Sequence, residues 1–302
     1  MSEVDSRAFL DSAVLARLSR LSLLARGPMN GGVTGIHKSA TRGSSVEFAE
    51  YRKYAPGDDI KHVDWKVYAR TDRFYMKEFE ADTNLRCYIV LDTSRSMAFA
   101  AENGTKFEYA CRLAATLAYI LVHQGDSVGL LCFADGAVCD IPPRRTPSHL
   151  KHIFDTLSEV KPTGKTAMVQ TIHDLAERIR QRALVVVLSD CFTEPAPLLD
   201  CFQHMRFRKH DLAVFHLLDR QELDFNFDRP IRFMDIEGSF NMITDPSVIQ
   251  GGYRKELDRY LEDLKRGCRE FGVDYRRVIT DMDYEQVLSS FLLQRMKGKP
   301  GR

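Results

Sequence analysis

The chain has 302 residues, 44% hydrophobic and 28% charged. That composition supports a substantial core in one large domain or two modest ones, and it excludes whole-chain disorder, collagen and coiled coil. Forty-three Lys and Arg against forty-two Asp and Glu leave a net charge of +1, so binding to nucleic acid or an anionic membrane would need a local patch.

The longest purely aliphatic run, Ala183 to Leu188, is far short of the roughly 20 residues that span a bilayer. Glu3, Asp5 and Asp11 lie near the start with no apolar block behind a basic stretch, which argues against a secretory signal. The seven cysteines contain no C-x-x-C, and several lie inside apolar runs. They read as buried reduced thiols, consistent with a cytoplasmic location.

In chain order, residues 8–25 read as a helix, with Leu10, Val14, Leu18 and Leu21 at three- and four-residue steps. Residues 27–83 change character: a glycine-rich entry, then aromatic and charged residues with the single tryptophan, Trp65. Short strands around Pro56-Gly57 are expected there, packed on something else. From residue 84 strands and helices alternate. Leu85–Leu91 is a strand ending in Asp92, Phe107–Val122 a helix, and Ser127–Phe133 a second strand. Ala134-Asp135-Gly136 makes a turn into a hairpin arm, Gly136–Ile141. Helices are expected over Ser148–Leu157, Ala167–Ile179 and Leu198–Met205, and strands over Ala183–Leu188 and Asp211–Leu218. The run Ala183–Leu188 is continuous rather than alternating, as in a parallel sheet. Two further strands, Ile231–Ile236 and Phe240–Ile243, are followed by a long amphipathic helix over Tyr253–Phe271, a strand over Val273–Val278 and a closing helix over Tyr284–Met296. This order predicts an α/β fold: an open, mostly parallel sheet flanked by helices.

Ligand sites in open α/β sheets lie beyond the carboxyl ends of the strands. The first strand of the alternating region leaves through Asp92-Thr93-Ser94-Arg95-Ser96. The buried strand over 183–188 leaves through Ser189-Asp190, and Thr163-Gly164-Lys165-Thr166 leads into a helix. Asp92, Ser94, Ser96, Thr166 and Asp190 therefore fall on one rim. Two carboxylates and three hydroxyls are hard oxygen donors that suit Mg²⁺ or Mn²⁺. In a tight loop the alternate spacing sends Asp92, Ser94 and Ser96 to one side and Thr93 and Arg95 away. An ion held largely by neutral oxygens keeps affinity for one more carboxylate, such as an acidic side chain of a protein partner.

This pattern resembles the metal-ion-dependent adhesion site of von Willebrand factor type A domains, over roughly residues 84–296. The preceding stretch is similar to the bacterial domain-of-unknown-function-58 family. The likeness rests on 43–48 (Gly-Ser-Ser-Val-Glu-Phe), 52–59 (Arg-Lys-Tyr-Ala-Pro-Gly-Asp-Asp), Val63-Asp64-Trp65 and Ala69-Arg70. The resemblance implies an N-terminal extension over 1–83 carrying this segment, a von Willebrand type A-like domain over 84–296 and a tail over 297–302. It implies a non-enzymatic, metal-dependent protein-interaction module, with a MoxR-type AAA+ ATPase or its client as partner. Many family members carry N-terminal transmembrane helices, a pattern from which this chain departs. Asp58, Asp59 and Asp64 are expected to hold Arg52 and Arg70 in a polar network against the sheet.

Other motifs fail on context. Gly125-Asp126-Ser127-Val128-Gly129 matches G-x-S-x-G, but the helix precedes and the strand follows, the reverse of a nucleophile elbow. Gly164-Lys165-Thr166 lacks the glycine five positions upstream that a phosphate-binding loop needs; Glu159 stands there. His149, His152 and His173 lack a zinc-site spacing. Arg206, Arg208, Lys209 and His210 complement a helix end rather than mark a nucleic-acid surface. The enzyme alternative is a Mg²⁺-dependent phosphatase with Asp92 as nucleophile. Such enzymes usually carry a second aspartate two residues on, where this chain has Ser94.

Overall fold

The computed structural model describes residues 9–19, 21, 23, 37–38, 47–54, 63–80, 82–83, 85–100, 104–226, 231–234, 241–244 and 246–297. The N-terminal part contains α1 (Ser12–Leu18), β1 (His37–Lys38), β2 (Glu47–Lys53), α2 (Trp65–Thr71), β3 (Tyr75–Glu80) and β4 (Asp82–Thr83). Then come β5 (Arg86–Asp92), a 3₁₀ turn (Arg95–Ala98), α3 (Lys106–His123), β6 (Ser127–Phe133), β7 (Ala137–Arg144), α4 (Pro147–Glu159) and α5 (Met168–Arg178). Next are β8 (Leu184–Ser189), α6 (Pro195–Phe207), β9 (Asp211–Leu218), α7 (Arg220–Asp224), β10 (Ile231–Met234) and β11 (Asn241–Thr244). The chain closes with α8 (Pro246–Glu270), β12 (Asp274–Ile279) and α9 (Tyr284–Lys297).

The main sheet runs β12-β9-β8-β5-β6-β7, parallel except for the β6–β7 hairpin. Every residue of β8 and β9 is buried, which explains the lack of polar alternation: both faces carry helices. Successive side chains feed opposite cores. Ile89, Leu91, Val186 and Phe215 join a cluster with residues of α1, α3, α4 and α9. Val90, Val185, Val187 and Val214 join the other, with α5, α6 and α8. Helix α6 lies so close to α8 that a Cβ on Gly267 would meet Leu199 Cδ1 at 2.4 Å.

Element boundaries depart from expectation for local reasons. Within 8–25, α1 covers only Ser12–Leu18. Asp11 caps it, accepting from Ala13 N and Val14 N. Beyond it, Leu21 and Leu23 are not helical: Gln124, which caps α3, donates to the Leu21 carbonyl at 3.1 Å and accepts from Leu23 N at 3.3 Å. Helix α2 was not anticipated; Asp64 accepts from Val67 N at 3.3 Å and starts it. The Pro56-Gly57 turn, Asp58, Asp59 and residues 43–46 lie outside the described residues, so the proposed arginine network is not described. Helix α8 begins at Pro246, seven residues before Tyr253, because it continues through Gly251 and Gly252. Residues Ile236 and Phe240 also lie outside the described residues; β10 and β11 pair antiparallel from Ile231↔Thr244 to Met234↔Asn241. Among the described residues no helix is long and apolar enough to cross a membrane.

Candidate functional site

From β5 the sheet continues to β6 on one side and to β8 on the other. At such a switch point the loops leaving neighbouring strands diverge and leave a crevice. Asp92 ends β5, and Ser189-Asp190 ends and follows β8, so both aspartates stand at that crevice. Backbone hydrogen bonds fasten the surrounding loops. Thr93 N donates to the Phe133 carbonyl at 2.7 Å, Arg95 N to the Gly164 carbonyl at 3.0 Å, and Thr163 N to the Thr93 carbonyl at 2.8 Å. Ala167 N reaches the Ala134 carbonyl at 2.7 Å. Gly164 has a φ of +72°, and a Cβ there would lie 2.5 Å from Asp135 Oδ2. Asp135 also accepts from Lys165 N at 2.6 Å. The turn after β6 thus sets the loop that carries Thr166.

Asp92 is fully buried. Its Oδ1 accepts from Ser94 N at 2.9 Å. Its Oδ2 accepts from Ser189 Oγ at 2.6 Å and from Thr166 Oγ1 at 3.4 Å. The Ser94 and Ser96 hydroxyls lie 3.0 Å apart, both buried. Thr93 turns away to donate to the Phe133 carbonyl, and Arg95 is exposed. The alternation expected of this loop is therefore present. Burial, reinforced by the negative charge of Asp190, pushes the Asp92 carboxyl up to about 6 against the stabilising bonds from Ser189 and Ser94.

Asp190 is also buried but differently engaged. Lys106 Nζ donates to its Oδ2 at 2.8 Å and to Glu222 Oε1 at 2.7 Å, and the Lys106 side chain is 2% exposed. Phe192 N approaches Asp190 Oδ1 at 3.3 Å. Lys106 opens α3, where the helix dipole disfavours a cation; the two carboxylates hold it there. Although burial opposes its charge, they raise the lysine's pKa. For Glu222, burial outweighs the lysine and raises the carboxyl above its usual range.

The structure thus brings Asp92, Ser94, Ser96 and Thr166 together by direct contacts and sets Asp190 beside them. Ser189, Lys106 and Glu222 were not singled out from the sequence. A signal existed for Ser189, which adjoins Asp190. Lys106 and Glu222 are separated from Asp190 by 84 and 32 positions and left none. Among the described residues no three His, Cys, Asp or Glu side chains group as metal ligands.

The chain was compared with known proteins. It is 25% identical over 292 residues to uncharacterized protein Rv1480 of Mycobacterium tuberculosis, covering 95% of this chain and 92% of that one. Among solved structures, the conserved hypothetical protein BatB from Bacteroides thetaiotaomicron aligns with a TM-score of 0.47 and 18% identity, over 71% of this chain and all of that one. The SpRpn10 VWA domain aligns with a TM-score of 0.43 and 12% identity, over 73% of this chain and 99% of that one. A family model described as protein of unknown function DUF58 matches residues 50–258. With more than half of its length matched, the chain belongs to the DUF58 family.

Proposed function

We propose that the rim formed by Asp92, Ser94, Ser96, Thr166 and Asp190 is a divalent-cation site through which this protein binds a protein partner. The observation that carries this is the packing of the Ser94 and Ser96 hydroxyls and Thr166 around a buried carboxylate whose hydrogen bonds all come from neutral donors. Hard, mostly neutral oxygens fit Mg²⁺ or Mn²⁺. Ser94, Ser96 and Thr166 would hold the ion, with Asp92 and Asp190 acting directly or through water. When bound, the ion supplies an electrophilic position for a carboxylate from the partner. Ser189 positions Asp92, and Lys106 positions Asp190. By resemblance, the partner is a MoxR-type AAA+ ATPase or its client, met in the cytoplasm. The phosphatase alternative is disfavoured because Ser94 stands two residues after Asp92, where such enzymes usually carry a second aspartate.

The test has two arms. Mg²⁺ at about 100 times its Kd should stabilise the wild type by about 2.7 kcal/mol over EDTA in thermal unfolding, and Asp92→Asn should lose that gain. Purified MoxR-type ATPase from the same organism should be retained by the wild type with Mg²⁺, and neither by Asp92→Asn nor in EDTA. An absence of Mg²⁺ and Mn²⁺ stabilisation in the wild type refutes the cation site. Metal binding with capture unchanged by EDTA refutes its role in partner binding.

A further inference from the structure

A cavity of about 880 Å³ opens beside Asp190. The ends of β8 and β9, the start of α6, and helices α7 and α8 enclose it. Its walls are apolar and aromatic: Leu218, Leu257, Tyr253 and Tyr260, with Phe192 at the mouth. The rings are already fixed. Tyr253 packs on Phe225 with centroids 4.3 Å apart, and the Tyr260 hydroxyl donates to the Cys191 carbonyl. A preformed wall of this kind lowers the ordering cost of binding.

Its charge is one-sided. Five carboxylates line it (Asp190, Glu194, Glu222, Glu256 and Asp263) against two cations, Lys106 and Arg259. Arg266 pairs with Asp263 from just outside the lining, so the local balance is a net formal charge of −2 on a chain of net charge +1. Both cations already pair with carboxylates of the same lining: Lys106 with Asp190 and Glu222, and Arg259 with Glu256.

We propose that this cavity receives an arginine side chain of a partner protein. A guanidinium is weakly hydrated, stacks on aromatic faces, and offers planar paired donors to carboxylates. Tyr253 and Tyr260 supply the faces, and Glu194, exposed at the mouth, supplies the acceptor, since Glu256 is already paired with Arg259. Anionic and phosphate groups meet net repulsion here. A purely apolar group would leave the carboxylates without return for their desolvation. The arginine site does not depend on a bound cation at the neighbouring rim, although the two share Asp190.

The experiment titrates the full chain with N-acetyl-phenylalanyl-arginine amide, followed by NMR in low-salt buffer with EDTA. The citrulline analogue, which keeps the shape and loses the charge, is the first control. N-acetyl-phenylalanyl-glutamate amide is the second. We expect saturable binding of the arginine peptide, weakened about tenfold by citrulline and again about tenfold in Glu194→Gln, in line with the strength of charge-assisted hydrogen bonds. The substitution is on an exposed side chain, and an unchanged melting temperature verifies the fold. Equal affinity for arginine and citrulline, preference for the glutamate peptide, or no binding of the arginine peptide at 10 mM (about −2.7 kcal/mol or weaker) overturns the proposal. Because EDTA is present throughout, failure of the cation site leaves this result untouched.

Discussion

Lys106→Met is the most informative single change near the site. The native ammonium is 2% exposed and touches Asp190 at 2.8 Å and Glu222 at 2.7 Å. Methionine fills much of the same volume and removes the charge. Asp190, 2% exposed at its side chain, is then left as a buried carboxylate without its cation. Glu222, 24% exposed, can turn toward water or take up a proton. The cost falls mainly on Asp190, and removal of one partner from a buried pair costs about 3–5 kcal/mol. Urea unfolding in EDTA at pH 7 measures it from the shift in midpoint at constant m-value. The double variant Lys106→Met/Asp190→Asn should recover most of the loss, since neither member of the buried pair then carries a charge. If Lys106→Met costs under about 1 kcal/mol, or the double variant shows the sum of the single losses, the ion pair does not hold this rim and the reasoning fails.

Three other outcomes follow from local geometry. Gly164→Ala should destabilise by about 1–3 kcal/mol and shift the NMR signals of Thr166, because the left-handed backbone and Asp135 both exclude a Cβ; an unperturbed Thr166 would contradict that. His210 has a pKa lowered to about 4 by burial, with Arg208 and Arg182 adding to the effect, and its Nδ1 accepts from Ala183 N at 3.3 Å. Between pH 6.5 and about 4 the unfolded chain takes up a proton that the folded ring refuses. Stability should therefore fall with pH across that window by about 2 kcal/mol, after allowance for screening at the ring edge. Urea midpoints at pH 7 and 4.5 should show a shallower loss in His210→Gln; equal losses would exclude this histidine. Cys139 faces Cys132 across the β6–β7 hairpin, and the Cys132 thiol lowers its pKa by hydrogen bonding. The other six cysteines are buried, so Cys139 should be the first alkylated by iodoacetamide at pH 7; comparable labelling elsewhere in mass spectra would refute this.

What the sequence exposed was what local pattern encodes. Ala183–Leu188 has no polar alternation because both of its faces are covered, so a central parallel strand could be read directly. Asp92-x-Ser-x-Ser was legible because its loop turns every second side chain to one side. The missed features depend on non-local contacts or on tertiary override. Lys106 looks like an ordinary solvated lysine at a helix start until the fold brings Asp190 and Glu222 to it. Gly251 and Gly252 disfavour a helix on propensity alone, which concealed the start of α8. The start of α6 at Pro195 was legible in principle, since proline suits the first helical turn, but the apolar run from Leu198 is the stronger pattern.

The unequal partners of the two aspartates tie these features together. Asp190 already faces a cation, and that cation also holds Glu222 on α7. Asp92 is equally buried, yet it is held by a backbone N–H and two hydroxyls. Hydrogen bonds from neutral donors orient a carboxylate but do not cancel its charge. Any positive charge arriving at the rim therefore gains more from Asp92 than from Asp190. This predicts different consequences for two conservative changes. Asp92→Asn should abolish the Mg²⁺-dependent stabilisation while leaving the Lys106 ion pair intact. Asp190→Asn should instead leave buried Lys106 with Glu222 as its remaining counter-charge, lowering stability in EDTA by up to about 3 kcal/mol and weakening Mg²⁺ binding less than Asp92→Asn does. Calorimetric titration of both variants with Mg²⁺, paired with their urea midpoints in EDTA, separates the two roles. The reverse order of effects would mean that Asp190, not Asp92, is the principal anchor of the ion.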